Sequence, residues 1–319
     1  MHFFIKFSFE FYKIHKIQKR FLKFKGRKMQ QFALIGTTAS GKSALALELA
    51  KVLDGVILSL DSLCVYKEIH IASAKPTASE LAQIRHFGVD VVSVNEAFSA
   101  GEFFKEYQKA KKFALENSKN LIITGGSGFY LNAMLKGLAP KVPRADFYPT
   151  NSDIYELCKE HDKQFAHKYS TNDTFRLQKW WDIFEFSGIS PSVFLAKNTA
   201  EPIIENIDIY ELCWDKELLR NRIGIRTSQM LENGLIDEAK ELFARFDESL
   251  KPLNSIGLKE CKEFFEGKIR DEKELKEMII THTAQLAKRQ RTFFNSQFKA
   301  KKLDPNKAYE IILNDFKNA

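Results

Sequence analysis

Short apolar runs alternate with helix-like stretches over residues 29–138 of this 319-residue chain. Runs of this length, about four to six residues, are typical of strands rather than helices. They lie at residues 31–35, 56–60, 89–94 and 121–124. Between them, apolar positions recur mainly at helical spacing. This alternation predicts a parallel β-sheet with helices on both faces, and therefore an α/β fold.

The pattern changes after residue 138. Pro140, Pro143 and Pro149 predict a connector, and residues 152–187 show helical spacing without a strand signal. A strand pattern returns at residues 208–213, after which the chain is helical again. We therefore predict four segments: an extension at 1–28, the first part of the core at 29–138, a mostly helical insertion domain at 139–200, and the completion of the core with C-terminal helices at 201–319.

The formal net charge of +8 comes from the start of the chain. Residues 1–28 hold nine Lys or Arg, one acid and seven Phe, so the remaining residues are close to neutral. Charge alone therefore gives no argument that the body of the protein binds nucleic acid. The basic, Phe-rich extension could lie on a membrane surface as an amphipathic helix. We favour a start codon assigned too early, because Met29 directly precedes the first predicted strand.

Composition excludes several other classes of protein. No apolar run is long enough to span a bilayer, and we expect no membrane partner. The cysteines lie far apart without a C-x-x-C pair, which argues against a zinc site or a disulfide framework. They are Cys64, Cys158, Cys213 and Cys261. Such usage is typical of a reduced compartment, and we expect a cytoplasmic monomer.

The most specific local motif is GTTASGKS at residues 36–43, which fits the phosphate-binding pattern G-x-x-x-x-G-K-[ST]. It follows a predicted strand and opens into a predicted helix, as such a loop requires. Gly36 and Gly41 are expected to adopt backbone angles that a side chain forbids. The N–H groups would then point at a polyphosphate beside the positive end of a helix. The motif predicts a P-loop NTPase-like fold that binds a polyphosphate or a pyrophosphate, without specifying ATP.

Each residue of this loop has an expected role. Lys42 is expected to reach the terminal phosphate oxygens, and the Ser43 hydroxyl to hold Mg²⁺, the cofactor that we predict. A chance match is a poor alternative, because all four constrained positions fit in the right context. The predicted diphosphate-binding residues are Gly36, Thr37, Thr38, Ala39, Ser40, Gly41, Lys42 and Ser43.

Asp61 ends the second predicted strand, and ligands of such sheets bind beyond the carboxyl ends of the strands. A carboxylate in that place can accept a proton from an attacking hydroxyl or amine, or hold Mg²⁺ through water. The competing interpretation is a helix N-cap, a common role for Asp. The P-loop upstream favours a functional role.

The fourth apolar run leads into GGSG at residues 125–128, where an ATPase would often carry a metal-binding acid. The absence of that acid counts against ATP hydrolysis. GGSG offers backbone groups and the Ser127 hydroxyl to a ligand. The alternative is a tight turn into the next helix.

Arg222 and Arg226 are four residues apart on a predicted helix and share one face. Two guanidinium groups could clamp phosphate oxygens, since their fork geometry suits that task. From these residues alone, a solvated face is the better interpretation, because other charged residues are nearby.

The sequence AKRQRTFF at residues 287–294 places Lys288, Arg289 and Arg291 beside Phe293 and Phe294. Basic residues next to aromatic ones suit contact with single-stranded or looped RNA. An amphipathic helix with its aromatic side chains in the core explains the same pattern. These residues alone leave the two interpretations equal.

Six segments, in order, resemble the tRNA dimethylallyltransferases, also called tRNA isopentenyltransferases. GTTASGKS matches the phosphate loop of that family, DSLCVYKEIHIASAKPT resembles its DSxQVYxxxxIGTAKPT, and GGSGFYL resembles its GGTGLYL. RIGIRTSQMLENGL, IGLKE and TAQLAKRQRTFF resemble three further stretches of the family. The similarity runs from about residue 29 to residue 294, and six ordered matches are more specific than any one of them.

This resemblance implies a reaction. A dimethylallyl group would pass from dimethylallyl diphosphate to N6 of adenine 37, next to the tRNA anticodon, with release of pyrophosphate. It implies that Asp61 takes the amine proton, and that Lys42, Arg222 and Arg226 stabilise the departing diphosphate. The base would be flipped out of its stack. The implied contacts to the anticodon stem-loop are Asp61, Ser62, Leu63, Cys64, Ser127, Arg176, Lys179, Lys288 and Arg289.

The chain departs from the family pattern mainly at positions expected to contact RNA. Cys64 stands where the family usually has Gln, Ala284 where Arg is expected, and Phe293 where Trp is expected. Phe175 and Lys179 depart from the pattern around Arg176. Catalysis at the diphosphate is expected to be intact, and the grip on RNA is what these changes affect.

Two other functions compete with this interpretation. A small-molecule or nucleotide kinase would share the P-loop, the acid after the second strand and the helical arginines, and nothing in the residues alone excludes it. A non-catalytic RNA-binding protein with a relic P-loop is the second alternative. The presence of both Lys42 and Ser43 argues against it.

Overall fold

The computed structural model describes residues 29–318, so the predicted extension at 1–28 lies outside the described residues. Six strands form one sheet in which every neighbouring pair is parallel. In chain order they are β1 (Gln31–Gly36), β2 (Gly55–Ser59), β3 (His86–Phe87), β4 (Asn120–Gly125), β5 (Asp208–Leu212) and β6 (Lys301–Leu303). Their order across the sheet is β3-β2-β4-β1-β5-β6. The predicted α/β fold with a parallel sheet is confirmed.

Helices occupy most of the remaining described chain. In chain order they are α1 (Lys42–Val52), α2 (Ala78–Gln83), α3 (Ala100–Glu116), α4 (Gly128–Lys136), α5 (Asn151–His161), α6 (Lys163–Lys168), α7 (Thr174–Ser187), α8 (Pro191–Asn198), α9 (Lys216–Glu232), α10 (Leu235–Arg245), α11 (Leu258–Phe265), α12 (Glu272–Gln297) and α13 (Ala308–Asn318). A 3₁₀ turn, Lys251–Asn254, precedes α11. Among the described helices, none combines the length and apolar character that crossing a bilayer requires.

The predicted strand at residues 89–94 is wrong. The chain leaves the sheet after β3, because Gly88 adopts a left-handed φ of 72°. Val91 and Val92 instead donate their N–H groups to Val65 O at 2.7 and 3.0 Å. These residues therefore brace the segment that follows β2, which carries Asp61. Val91 and Val92 have the β-branched side chains that are typical of a strand, but they do not belong to the six-stranded sheet.

The edge strand β6 was not predicted. It has three residues, two of which are exposed lysines, so its hydrophobic signal is too short to recognise. Its position depends on pairing with β5, where Tyr210 lies opposite Lys301. The following helix α13 then packs Phe316 against Phe32 of β1, with ring centroids 5.8 Å apart.

The core on one face of the sheet is built around β1. Phe32 and Leu34 are buried with the apolar face of α1 and with residues of α13. Tyr210 of β5 meets the Phe32 ring edge-on, with centroids 5.7 Å apart. Because β1 lies inside the sheet, the loop at its carboxyl end starts from a rigid base.

Contacts divide the described residues into two compact units, 29–131 joined with 206–318, and 132–205. The second unit contains the predicted insertion at 139–200, and its described elements are helical. Its core is Ile154, Cys158, Leu177 and Trp180. The buried Asp162 ends α5 and accepts hydrogen bonds from Phe165 N at 3.2 Å and Trp180 Nε1 at 3.1 Å. This carboxylate explains why residues 152–168 form two helices rather than one.

Candidate active site

The loop between β1 and α1 leaves several backbone N–H groups unbonded while its carbonyl groups are used. The N–H groups of Ala39, Gly41, Lys42 and Ser43 have no hydrogen-bond partner among the described residues. The carbonyl oxygens of Ala39 and Ser40 accept bonds from Arg222 Nε at 2.9 Å and Trp214 Nε1 at 2.8 Å. A run of free N–H groups at a helix N-terminus is an anion-binding nest.

Two glycines of this loop matter for different reasons. Gly41 has a left-handed φ of 87°, as expected. The expectation that Gly36 needs a forbidden backbone angle was wrong, and the non-glycine residue Ala39 adopts the other left-handed φ of the loop, 61°. A Cβ at Gly36 would lie 2.6 Å from Ser40 Oγ and 3.3 Å from Ser40 Cβ, so a side chain there would displace the Ser40 hydroxyl.

Lys42 is a buried cation with no ion pair among the described residues. The residue is 9% exposed, and its Nζ donates to Thr37 O at 3.4 Å. Burial lowers the pKa of Lys42 to about 8, an effect that Asp61 opposes and Arg226 adds to. A bound anion would raise the pKa of Lys42 again, because an opposite charge nearby favours the protonated amine.

Arg222 lies against the phosphate loop rather than in solvent. Besides its bond to Ala39, its guanidinium carbon is 4.4 Å from the centre of the Trp214 ring. Trp214 is itself tied to the loop through Ser40. Such stacking holds the guanidinium plane in one orientation. Sequence reasoning missed Trp214, whose hydrogen-bond partner Ser40 lies 174 positions away.

Arg226 lies one turn further along α9 and lines the same cavity as Lys42. Burial lowers the pKa of this guanidinium, while the nearby Asp61 and Cys64 oppose the shift. The solvated-face interpretation of the arginine pair is therefore not what the structure shows. Both side chains face the loop or the cavity.

Asp61 uses one carboxylate oxygen for structure and leaves the other available. Oδ1 accepts the N–H groups of Leu63 at 2.9 Å and Cys64 at 3.4 Å. No helix begins at Asp61, so the N-cap interpretation is wrong, although the residue does cap a turn. Oδ2 has no hydrogen-bond partner among residues 29–318. Asp61 lines the cavity and is thus held in place with a free basic oxygen.

The segment after Asp61 is braced from α10. The Glu238 carboxylate accepts three successive backbone N–H groups, those of His70 at 2.6 Å, Ile71 at 2.8 Å and Ala72 at 2.8 Å. Sequence reasoning missed Glu238, which lies more than 160 positions away. The bond from Cys64 Sγ to Ser73 O at 3.7 Å adds a further link.

Cys64 is a buried thiol of this segment, 5% exposed. Burial raises its pKa well above the usual value, and the neighbouring Asp61 adds to the shift. The side chain is therefore a neutral, weakly polar group that faces the cavity at physiological pH.

One cavity of about 780 Å³ joins these features within the first unit. The charged groups Lys42, Asp61 and Arg226 line it together with the hydroxyl-bearing residue Ser43. Of the predicted RNA contacts, Ser62, Leu63, Cys64, Ser127 and Arg289 also line it. Apolar side chains form much of the remaining wall: Phe98, Phe129, Tyr130, Met230, Ile279, Leu286 and Phe293.

The Gly-rich segment after β4 is more than a tight turn. A Cβ at Gly125 would lie 2.6 Å from Leu60 O, so glycine allows β4 and the end of β2 to approach closely. Gly126 O accepts a bond from Gln290 Nε2 at 2.9 Å. Ser127 lines the cavity just before α4 begins.

The structure confirms the amphipathic interpretation of residues 287–294, and the RNA contact stays a prediction. Phe294 is 1% exposed and belongs to the core, and both Phe293 and Phe294 line the cavity. Lys288 and Arg289 are exposed. The helix thus buries one face and presents basic side chains on another.

Arg176 and Lys179 lie in the second unit, on α7. Arg176 pairs with Asp173, and its guanidinium carbon is 4.8 Å from the Tyr169 ring centre. Lys179 Nζ is 2.9 Å from Asp182 Oδ2. Asp182 is buried, which disfavours its charge, but hydrogen bonds from Tyr148, Ala145 and Lys179 outweigh burial and hold its pKa below the usual range. Both cations therefore have structural partners of their own.

A metal ion would have few protein ligands here. Residues 29–318 contain no group of three or more His, Cys, Asp or Glu placed to hold a metal. Mg²⁺ commonly keeps several waters and binds through one or two protein oxygens plus substrate phosphates. The exposed Ser43 hydroxyl and the free Asp61 oxygen on the same cavity fit that requirement.

A parallel sheet with an anion-binding loop after an inner strand and an acid after a second strand defines a P-loop protein. The open cavity and the absence of an acid after β4 favour transfer of a group from an anionic donor over ATP hydrolysis.

Comparison with known proteins identifies the family. Residues 64–297 match the family model described as IPP transferase. The tRNA dimethylallyltransferase of Campylobacter concisus is 57% identical over 272 residues, which cover 85% of this chain and 93% of the relative. That of Campylobacter curvus is 55% identical over 289 residues, which cover 90% and 97%. The chain belongs to the tRNA dimethylallyltransferase family, and the predicted resemblance is confirmed.

Solved structures agree with this assignment. The tRNA isopentenylpyrophosphate transferase of Bacillus halodurans has a TM-score of 0.68 at 26% identity, covering 91% of this chain and 96% of that chain. A eukaryotic dimethylallyltransferase described as acting on tRNA has a TM-score of 0.69 at 25% identity, covering 86% and 74%.

Proposed function

We propose that this protein transfers a dimethylallyl group from dimethylallyl diphosphate to N6 of adenine 37, adjacent to the tRNA anticodon, and releases pyrophosphate. Membership of the tRNA dimethylallyltransferase family supports the transfer to tRNA. The observation that carries the proposal is one cavity in which the phosphate loop, the buried Lys42 and the partly buried Arg226 lie beside a carboxylate that has a free oxygen.

In the proposed reaction the N6 nitrogen forms a bond to C1 of the dimethylallyl group as the C1–O bond to the diphosphate breaks. Asp61 accepts the N6 proton through its free Oδ2. Lys42 and Arg226 face the charge that develops on the departing pyrophosphate, and such preorganised charges supply a large part of the stabilisation. Arg222 supports the same charge from its position on the loop.

Further features of the proposal concern the other ligands. Ser43 would hold Mg²⁺, which supplies charge neutralisation on the diphosphate when bound. Ser62, Leu63, Cys64, Ser127 and Arg289 are proposed to contact the flipped base and its neighbours, with Lys288, Arg176 and Lys179 contacting the anticodon stem-loop. We propose that the protein acts in the cytoplasm as a monomer. The kinase alternative has no support, since the family and the relatives above are prenyltransferases.

The test is prenyl transfer by the purified full-length chain. It would be mixed with Mg²⁺, labelled dimethylallyl diphosphate and an unmodified anticodon stem-loop with consecutive adenines 3′ of the anticodon. We expect label in the RNA, lost when adenine 37 is replaced by guanine and lost on Lys42→Ala. Absence of label, with ATP turnover on a small acceptor in a parallel reaction, would reject the proposed function in favour of a kinase.

A further inference from the structure

The amide of Gln290 bridges two loops that belong to different strands. Its Oε1 accepts the N–H of Thr38 in the phosphate loop at 2.8 Å, and its Nε2 donates to Gly126 O at 2.9 Å. The two partners follow β1 and β4, which are neighbours in the sheet with Ile35 opposite Gly125. One side chain therefore spans the gap between the two loop ends.

The bridge lies beside the buried cation. A Cβ at Gly126 would be 2.7 Å from Gln290 Nε2 and 3.6 Å from Lys42 Nζ. The Gln290 amide, the Gly126 backbone and the Lys42 ammonium thus meet at one point of the cavity wall. Only a side chain with one acceptor and one donor at its tip satisfies both backbone groups.

Packing on both sides fixes the helix that carries Gln290. Ala287, one turn earlier on α12, packs in a cluster with Ala39 of the phosphate loop. Phe294, one turn later, packs so closely on Gly128 that a Cβ there would lie 2.8 Å from its ring. The amide therefore cannot follow the phosphate loop if that loop shifts, and instead resists the shift.

We propose that Gln290 is a positioning residue that holds the phosphate loop in register with the segment at residues 125–128. The inference rests on the proposed function. In that reaction, the relative position of the two loops sets the distance between the diphosphate bound at Lys42 and the acceptor base beside Ser127. The adjacent Arg289 lines the same cavity. The turn of α12 that faces the RNA is consequently also the turn that fixes the phosphate loop.

The first test is Gln290→Met, which keeps the length of the side chain and removes both hydrogen bonds. We expect kcat for prenyl transfer to fall about 30- to 100-fold, because small misplacements of reacting groups cost about that much. The KM for the RNA should be unchanged. Gln285→Met is the matched control, since Gln285 is an exposed residue of the same helix, and it should behave like the parent protein.

The second test is Gln290→Glu, read as a pH profile. An ionised carboxylate accepts the Thr38 N–H but faces Gly126 O with no proton, whereas the protonated acid donates to it as the amide does. The ratio of Gln290→Glu activity to parent activity should therefore rise as the pH falls toward the ordinary range of Glu, about 4.3. The same ratio for Gln290→Met should stay flat. Because Lys42 Nζ lies beside the same amide, the ionised carboxylate also opposes diphosphate binding, so the ratio is compared at saturating dimethylallyl diphosphate.

A third measurement separates this inference from the proposed function. Calorimetric titration with inorganic pyrophosphate and Mg²⁺ does not depend on prenyl transfer. We expect Gln290→Met to weaken pyrophosphate binding about five- to tenfold, the effect of losing bonds that order the loop. If the parent protein binds pyrophosphate and the variant binds it more weakly, but neither transfers a prenyl group, the positioning role stands and the proposed function fails. Equal pyrophosphate affinity and equal kcat in the parent protein, Gln290→Met and Gln285→Met would overturn the inference.

Discussion

The cations at the phosphate loop and those on α7 are built in opposite ways. Lys42 is buried without an ion pair among the described residues, and burial lowers its pKa to about 8. Arg176 and Lys179 are about half exposed. Arg176 forms an ion pair with Asp173, and Lys179 forms one with Asp182. A buried unpaired charge lowers stability unless a ligand completes it. The difference supports an anion-binding role for the phosphate loop, and it shows that a basic residue within a motif can have a structural role.

The largest effect that would test this contrast is on Lys42. Lys42→Met should reduce prenyl transfer about 10³-fold or more, because it removes a charge that faces the developing pyrophosphate. In the absence of ligand, the same substitution should raise the free energy of unfolding by up to about 3 kcal/mol at neutral pH. The reason is that the lowered pKa of Lys42 reflects the cost of burying its charge. Activity assays and thermal unfolding would measure both. Lys51→Met, an exposed position on α1, should change neither.

The next effect is on Asp61. Asp61→Asn keeps an oxygen to accept the Leu63 N–H but removes the basic oxygen, so the turn should persist while transfer falls about 10²-fold or more. Single-turnover kinetics would separate this loss from substrate binding. Unchanged turnover in the Asn variant would exclude Asp61 as the general base.

A smaller effect is expected from pH alone. A diphosphate requires protonated Lys42, and the free protein loses that proton above its pKa of about 8. The KM for dimethylallyl diphosphate should therefore rise roughly tenfold per pH unit above that value. Without ligand, stability should rise with pH between about 8 and the model-peptide value of 10.4, because the unfolded chain binds the proton more tightly there. Lys42→Met should lack both dependences.

The smallest effects are expected on α7. Lys179→Met should weaken binding of the anticodon stem-loop only a few-fold. The slope of the logarithm of the binding constant against the logarithm of the salt concentration should change by less than about one. The substitution should lower the free energy of unfolding by less than about 1 kcal/mol, since the pair with Asp182 is half exposed on the lysine side. Lys197→Met, exposed on α8, is the control. A loss of affinity comparable to the loss of transfer in Lys42→Met would reverse the contrast drawn above.

Local signals predicted most of what lies close together along the chain. The phosphate loop, β1, β2, β4 and most of the first unit's helices followed from patterns confined to about a dozen residues. The strand predicted at 89–94 failed because apolar β-branched residues pack equally well as a brace on the segment after β2. Strand β6 was missed because pairing with β5, rather than its own composition, makes it a strand.

The sequence by itself determined the chemistry of this protein: an anion-binding loop, an acid at a strand end and the motifs of one family. Only the tertiary structure decided how these groups are held. Trp214 stacks on Arg222, Glu238 clamps three N–H groups of the segment after Asp61, and Gln290 bridges two loops. The bonds made by Trp214 to Ser40, by Glu238 and by Gln290 join residues more than 160 positions apart, so no local pattern predicts them. The environment of each charged side chain was also decided by the tertiary structure. Whether a lysine forms an ion pair within the protein depends on which residues the fold brings beside it.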